Sequence, residues 1–269
     1  MAITTQDGLV NGLISGPRLP VSKAAVTSTA ARLTSLWSAA GTPGVGSVTL
    51  GQTAAGEVPT SASVGALTFA NANNSHLGRM TGLSTVTTGG LLILYDILWV
   101  WGSGGSGWNV TTTTAQSTTA PAALTRPDAN GVGCELWMEV LAVMGAGAAT
   151  PVATYTNSAN TGSRTTQAST YASTAAIGSV FPMPLQAGDT GIKSVQSVTL
   201  TTSTTTGTAR FMIVKRIAEI PMVPNVGFTQ DAFALGIPRV YDNACIGMSV
   251  LPASTSTGLL MATAVLAQG

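Results

Sequence analysis

Leu91-Leu92-Ile93-Leu94-Tyr95-Asp96-Ile97-Leu98-Trp99-Val100-Trp101 carries a single charge and is bracketed by Gly89-Gly90 and Gly102. Branched and aromatic residues dominate it, with no polar alternation. A strand with one wet face alternates, so this pattern predicts a strand buried on both faces at the centre of a core. Eleven residues also fall well short of the roughly 20 that span a bilayer, so no membrane segment is expected.

Working outward, other strands share the texture. Cys134 to Met144 reads as a strand with Leu136, Met138 and Val140 on one face and Glu135, Trp137 and Glu139 on the other. Residues 192–202 read as a cleanly alternating strand with Val195, Val198 and Leu200 as its apolar members, Phe211-Met212-Ile213-Val214 reads as a buried strand, and Leu259 to Leu266 closes the chain as another. Residues 150–176 mix Thr and Ser with small residues around Tyr155 and Tyr171, as exposed strands do. The Thr- and Pro-rich stretch 109–130 predicts a surface connection ending in a turn at Pro127-Asp128-Ala129-Asn130-Gly131. Pro221, Pro224 and Pro238 predict an irregular crossing.

Before these strands, residues 1–21 hold Gly8, Gly12, Gly16, Pro17 and Pro20, a composition suited to an extended arm. Ser22 then caps a predicted helix with Val26, Ala30, Leu33 and Trp37 on one stripe, stopped by Gly41 and Pro43. The expected architecture is mainly β: a β-sandwich of jelly-roll or Greek-key type over residues 46–269, preceded by an arm and one short helix over 1–45. No repeat at a fixed period points to a propeller or solenoid.

Only 8% of the 269 residues are charged, against about 25% in ordinary soluble domains. Hydroxyl runs such as Thr111-Thr112-Thr113-Thr114 cover part of the surface, and contacts with other subunits are expected to cover the rest. The formal net charge of +1 gives little self-repulsion to oppose association. Eleven scattered basic residues, with only Lys215-Arg216 adjacent, do not form the cluster that phosphate binding needs, so no nucleic-acid role is expected. The first seven residues lack the basic and apolar regions of a secretory signal, so synthesis and use without export is expected. Cys134 and Cys245 read as two buried thiols, with a disulfide as the alternative.

Motifs for catalysis are sparse. His76 is the one histidine and sits in the polar segment Asn73-Asn74-Ser75-His76, where solvation or hydrogen bonding explains it better than catalysis. Neither a Gly-x-Ser-x-Gly elbow nor a Gly-Lys-Ser/Thr phosphate loop occurs. Gly102-Ser103-Gly104-Gly105-Ser106-Gly107 matches dinucleotide-loop spacing but runs into Trp108-Asn109-Val110-Thr111 rather than a helix, so a hairpin loop is predicted. Glu135 and Glu139 on one strand face lie roughly 13 Å apart by strand rise, beyond the separations of glycoside hydrolysis. Asp128, Asp189 and Asp242 sit beside turn residues with no Asp-x-Asp-x-Asp run to make a calcium loop. No catalytic residue, metal or cofactor is therefore expected. Trp99, Trp101, Trp108 and Trp137 offer the sharpest binding hypothesis, a sugar-stacking platform, weighed against core or interface packing. The candidate assembly residues are Val26, Leu33 and Trp37 of the predicted helix, with Trp108 and Trp137.

Three features together carry a resemblance: the arm and helix leading to Leu36-Trp37-Ser38-Ala39-Ala40-Gly41-Thr42-Pro43-Gly44, the segment Phe181-Pro182-Met183-Pro184-Leu185-Gln186-Ala187-Gly188-Asp189-Thr190-Gly191 with Val195-Gln196-Ser197-Val198, and the low-charge Thr/Gly/Ala texture. These resemble virion structural proteins of tailed bacteriophages, in particular the capsid-decorating (cement) class. The resemblance implies a β-sandwich subunit that oligomerises, with a trimer favoured, on the outside of a capsid assembled in the host cytoplasm. It implies the major capsid protein or other virion proteins as partners, gripped through the N-terminal arm. The chain is longer than many such proteins, which leaves as alternative a tail, collar or receptor-binding protein whose β-sandwich binds carbohydrate.

Overall fold

The computed structural model describes residues 3, 5–71, 74–86, 88–147, 150–170 and 175–268. Tyr171 and part of the polar segment before His76 lie outside the described residues. The described residues are mainly β, with one helix among them, α1 (Gln6–Ser15). The strands follow in order: β1 (Arg18–Lys23), β2 (Thr34–Ser35), β3 (Gly41–Thr42), β4 (Ser75–Ser84), β5 (Gly90–Gly102), β6 (Gln116–Ser117), β7 (Glu135–Ala142) and β8 (Pro151–Asn157). Then come β9 (Arg164–Thr165), β10 (Val180–Met183), β11 (Ile192–Leu200), β12 (Thr208–Met222), β13 (Gly227–Asp231), β14 (Arg239–Val240), β15 (Ile246–Pro252) and β16 (Leu260–Gln268).

Two compact units result. The first comprises Met1–Gly46, Thr60–Asp96 and Arg216–Gly269, and the second Ser47–Pro59 and Ile97–Lys215. In the first unit one sheet runs β13-β4-β16-β1-β3, with β14 also on β4; the other holds residues 90–96 of β5 beside β15 and β2. Leu19, Leu77, Met80 and Leu266 from the first sheet meet Leu92, Leu94, Ile246 and Met248 from the second in one core. In the second unit the sheet β6-β11-β8-β9 contributes Ala153, Tyr155, Val195 and Val198, while β7, β10 and residues 208–215 of β12 contribute Leu136, Met138, Phe181, Phe211 and Ile213. Each unit is thus a β-sandwich with its own core. Strands distant in sequence are neighbours, β1 beside β16 and β4 beside β13, as long Greek-key connections require.

The single sandwich expected over residues 46–269 is therefore replaced by two, and residues 1–46 belong to the first of them. The helix is also elsewhere. Residues 18–23 pair along β16 from Arg18↔Val265 to Lys23↔Leu260, and Ala31 adopts a left-handed φ of 57° that interrupts any helix through Val26, Ala30, Leu33 and Trp37. Instead the glycine-rich start is helical. Thr5 accepts from the Gly8 amide as N-cap, Asp7 lies in the first turn, and Leu9 and Gly12 are buried. The glycines that suggest an extended arm serve close packing: a Cβ on Gly12 would lie 3.2 Å from the Gln268 carbonyl oxygen, and one on Gly16 only 1.7 Å from that of Leu266.

Elsewhere the periodicities hold. From Leu92 to Gly102 every residue of β5 is buried. Its one charge, Asp96, is 4% exposed and accepts the Cys245 amide through Oδ1 at 2.9 Å. On β11 the three-residue step from Val195 to Val198 does not fit strict alternation. A shift in pairing with β8 between Val195 and Ser197 resolves it, keeping both valines inward. Pro221 lies within β12 rather than in the irregular crossing expected there. Leu94→Ala, at a side chain 2% exposed, should lower stability by about 2–5 kcal/mol in chemical denaturation. The same change at half-buried Val26 should cost clearly less.

Candidate functional site

His76 lies on β4 opposite Arg239 and Ala267, with Nδ1 3.2 Å from the Ile237 carbonyl oxygen. It faces a cleft of about 410 Å³ lined by Ile3, Thr5, Gln6, Leu9, Phe233 and Ile237. Among the described residues no carboxylate lines this cleft to orient an imidazole, and the one lining hydroxyl, on Thr5, caps α1. Among the described residues, no group of three or more His, Cys, Asp and Glu side chains is placed to hold a metal ion.

A polar cluster centres on Asp189, in the turn before β11. Its Oδ2 accepts from Tyr155 Oη at 2.5 Å and from Arg164 Nε at 3.0 Å, and its Oδ1 from Asn157 Nδ2 at 2.6 Å. The Gln186 amide donates to Tyr155 Oη. The Arg164 guanidinium, followed by the Tyr155 hydroxyl, holds the Asp189 carboxyl down at about 2. Burial, then the carboxylate it serves, pushes the Tyr155 phenol up to about 12. An anion so fully donated to is a poor base. Its physical effect is to tie β8, β9 and the turn together. The sequence places Asp189 only in a tight turn; its three partners lie 25 to 34 residues away, which local pattern does not reveal.

Glu139 is fully buried with Arg210. The two are cross-strand partners on β7 and β12, with Arg210 Nε 2.6 Å and Nη2 2.5 Å from Glu139 Oε2. Glu135 accepts from the Trp137 indole at 2.9 Å. Neither carboxylate is arranged as half of an acid and base pair. Two further basic residues are buried on backbone oxygens. Arg126 Nη2 donates to Pro59 and Ile97, while Lys23 Nζ donates to Ala39, Pro43 and Gly44. Burial lowers the Lys23 ammonium to about 8. The three carbonyls that surround it fix the turn after Ala39.

The tryptophans are core residues. Trp99, Trp101 and Trp108 are each 1% exposed and Trp137 is 0%, so no stacking platform reaches solvent. Trp108 packs on Phe211 and donates to the Trp101 carbonyl. Of the candidate assembly residues, Leu33, Trp37, Trp108 and Trp137 are buried and Val26 is half-buried, packed against the first core. Four of these five side chains are thus enclosed within the chain itself. The Gly102–Gly107 segment is a loop, closed by a parallel bridge between Ser103 and Trp108 rather than by the antiparallel pairing of the expected hairpin. With Gln52, Asn109, Thr111, Thr206 and Thr208 it lines a second cleft of about 410 Å³ that contains no charged residue.

No protein-family model matches the chain, and no curated protein matches it. Among solved structures, a chain in the structure of infectious bursal disease virus Gt strain is similar at 8% identity, covering 93% of this chain and 80% of that one. Its TM-score of 0.18 is too low to carry any argument about fold or function.

Two outcomes follow from the buried groups. Asp189 contributes stability above the ordinary carboxylate value of 3.8 and loses it as pH falls toward 2. Denaturation midpoints of the wild type should therefore drop across that window, and Asp189→Asn should be less stable at neutral pH with a flatter acid profile. Glu139→Ala leaves the buried guanidinium without its carboxylate and should cost about 3–5 kcal/mol. The double change Glu139→Leu with Arg210→Met should recover most of that loss.

Proposed function

We propose that this chain is a structural subunit of a tailed-bacteriophage virion, a capsid-decorating (cement) protein that stabilises the shell through subunit contacts rather than catalysis. The observation that carries this reading is the surface. Of eleven basic and ten acidic side chains, five (Lys23, Asp96, Arg126, Glu139 and Arg210) are buried, leaving sixteen for 10440 Å². Charge is normally what keeps a soluble surface apart from its neighbours. Here that surface instead presents hydroxyls and large apolar side chains, among them Ile14 and Phe233 at 71% and Val64 at 64% exposure. Such side chains gain by being covered, at about 25 cal/mol per Å².

In this role the partners are the major capsid protein or neighbouring virion proteins, the protein is itself a homo-oligomer with a trimer favoured, and its location is the virion. Shells assembled without this chain, mixed with purified protein and sedimented, should bind it to a saturating stoichiometry fixed by the lattice. The decorated shells should also open at a higher temperature. Absence of binding to shells, or binding that never saturates, would count decisively against the role.

A further inference from the structure

We infer that β13 is a dimerisation edge, at which two copies of this chain pair strand to strand about a two-fold axis through Thr229. An open edge strand presents unpaired amides and carbonyls, and proteins usually blunt it with proline, lysine or short length. Among the described residues the other edges are blunted: β2, β3, β6, β9 and β14 are two residues long, and β10 carries an exposed Pro182. By contrast β13, Gly227-Phe228-Thr229-Gln230-Asp231, is five residues long, pairs only with β4, and has neither proline nor lysine. Its one charge lies at its end.

The occupant is a second copy because the edge is complementary to itself. Antiparallel pairing about Thr229 sets each Thr229 against the other, Phe228 against Gln230, and Gly227 against Asp231. The two Asp231 carboxylates then stand roughly 14 Å apart by strand spacing, so no like charges meet. Each Asp231 also lies in register with Arg79 of its own chain. The chain turns at both ends of the strand, the Val226 amide donating to the Val223 carbonyl and the Leu235 amide to that of Asp231, so the pairing spans Gly227 to Asp231. Phe233 is 71% exposed, and Val223 and Val226 at the opposite end are 56% and 53% exposed. This two-fold contact is separate from the three-fold one of the trimer favoured in the shell role, and it does not rest on that role, because it needs only the purified chain.

Sedimentation of wild type, Thr229→Lys, Thr229→Glu and an equimolar mixture of the two variants tests it. Thr229 is exposed, so both variants should keep the wild-type circular dichroism and melting temperature. Wild type should associate with rising concentration, and each variant alone should associate about tenfold or more weakly, since like charges face each other at the axis. Mixing the lysine and glutamate variants should restore association, which only a contact placing residue 229 opposite itself produces. A wild type that stays monomeric, variants that associate like wild type, or a mixture that fails to restore association would each overturn the inference.

Discussion

A strand buried on both faces constrains everything around it, because its side chains need apolar partners above and below and its backbone needs a partner on each edge. Strand β5 is such a strand from Leu92 onward, and its residues serve two cores. Leu92 and Leu94 belong to the core of the first unit, Leu98, Trp99 and Trp101 to that of the second. Strand β12 divides in the same way, with Phe211 and Ile213 in one core and Ile220 and Met222 in the other. Both units thus draw on the same two strands for part of their interiors. Truncating β5 or β12 would remove side chains from both cores at once.

That arrangement explains what was legible in the sequence and what was not. Continuous apolar runs announce buried strands whatever their partners, so β5, β7 and β16 are read to within a few residues. The partition into two sandwiches is not written in any run, because the boundary falls inside β5 and β12, where hydrophobicity does not change. The helix was misplaced for a different reason. An apolar spacing of four, seven and eleven through Trp37 imitates a helical stripe, yet Leu33 and Trp37 are buried from an irregular path with Ala31 left-handed. Meanwhile Gly12 and Gly16, which lower helix propensity and suggest an arm, are what let α1 and the following turn lie against β16.

The polar interior was the least legible part. Glu139 and Arg210 are 71 residues apart, and only the register of β7 on β12 sets them face to face. Arg126 and Lys23 look like two more dispersed cations in the sequence, but each is held by backbone carbonyls inside the protein. The Asp189 cluster is a middle case. Its turn is evident from Gly188 and Asp189, whereas its donors come from two other strands. Turn chemistry is local and readable; buried charge pairing depends on topology.

Placing scarce charge inside has a consequence outside. A surface with few charges cannot reject wrong partners by like-charge repulsion, so specificity must come from shape and from which backbone groups remain open. The fold answers with sheet edges. Two-residue strands and Pro182 close most of them, and the strand that stays open is flanked by exposed Val223, Val226 and Phe233. Directional hydrogen bonds along such an edge fix register in a way that apolar side chains alone do not. In the proposed pairing, low surface charge supplies the tendency to associate, and the open edge of β13 supplies the geometry. In a chain this poor in charge, an edge without such a partner would be a route to disordered aggregation, which is why closure of the others matters as much as the opening of this one.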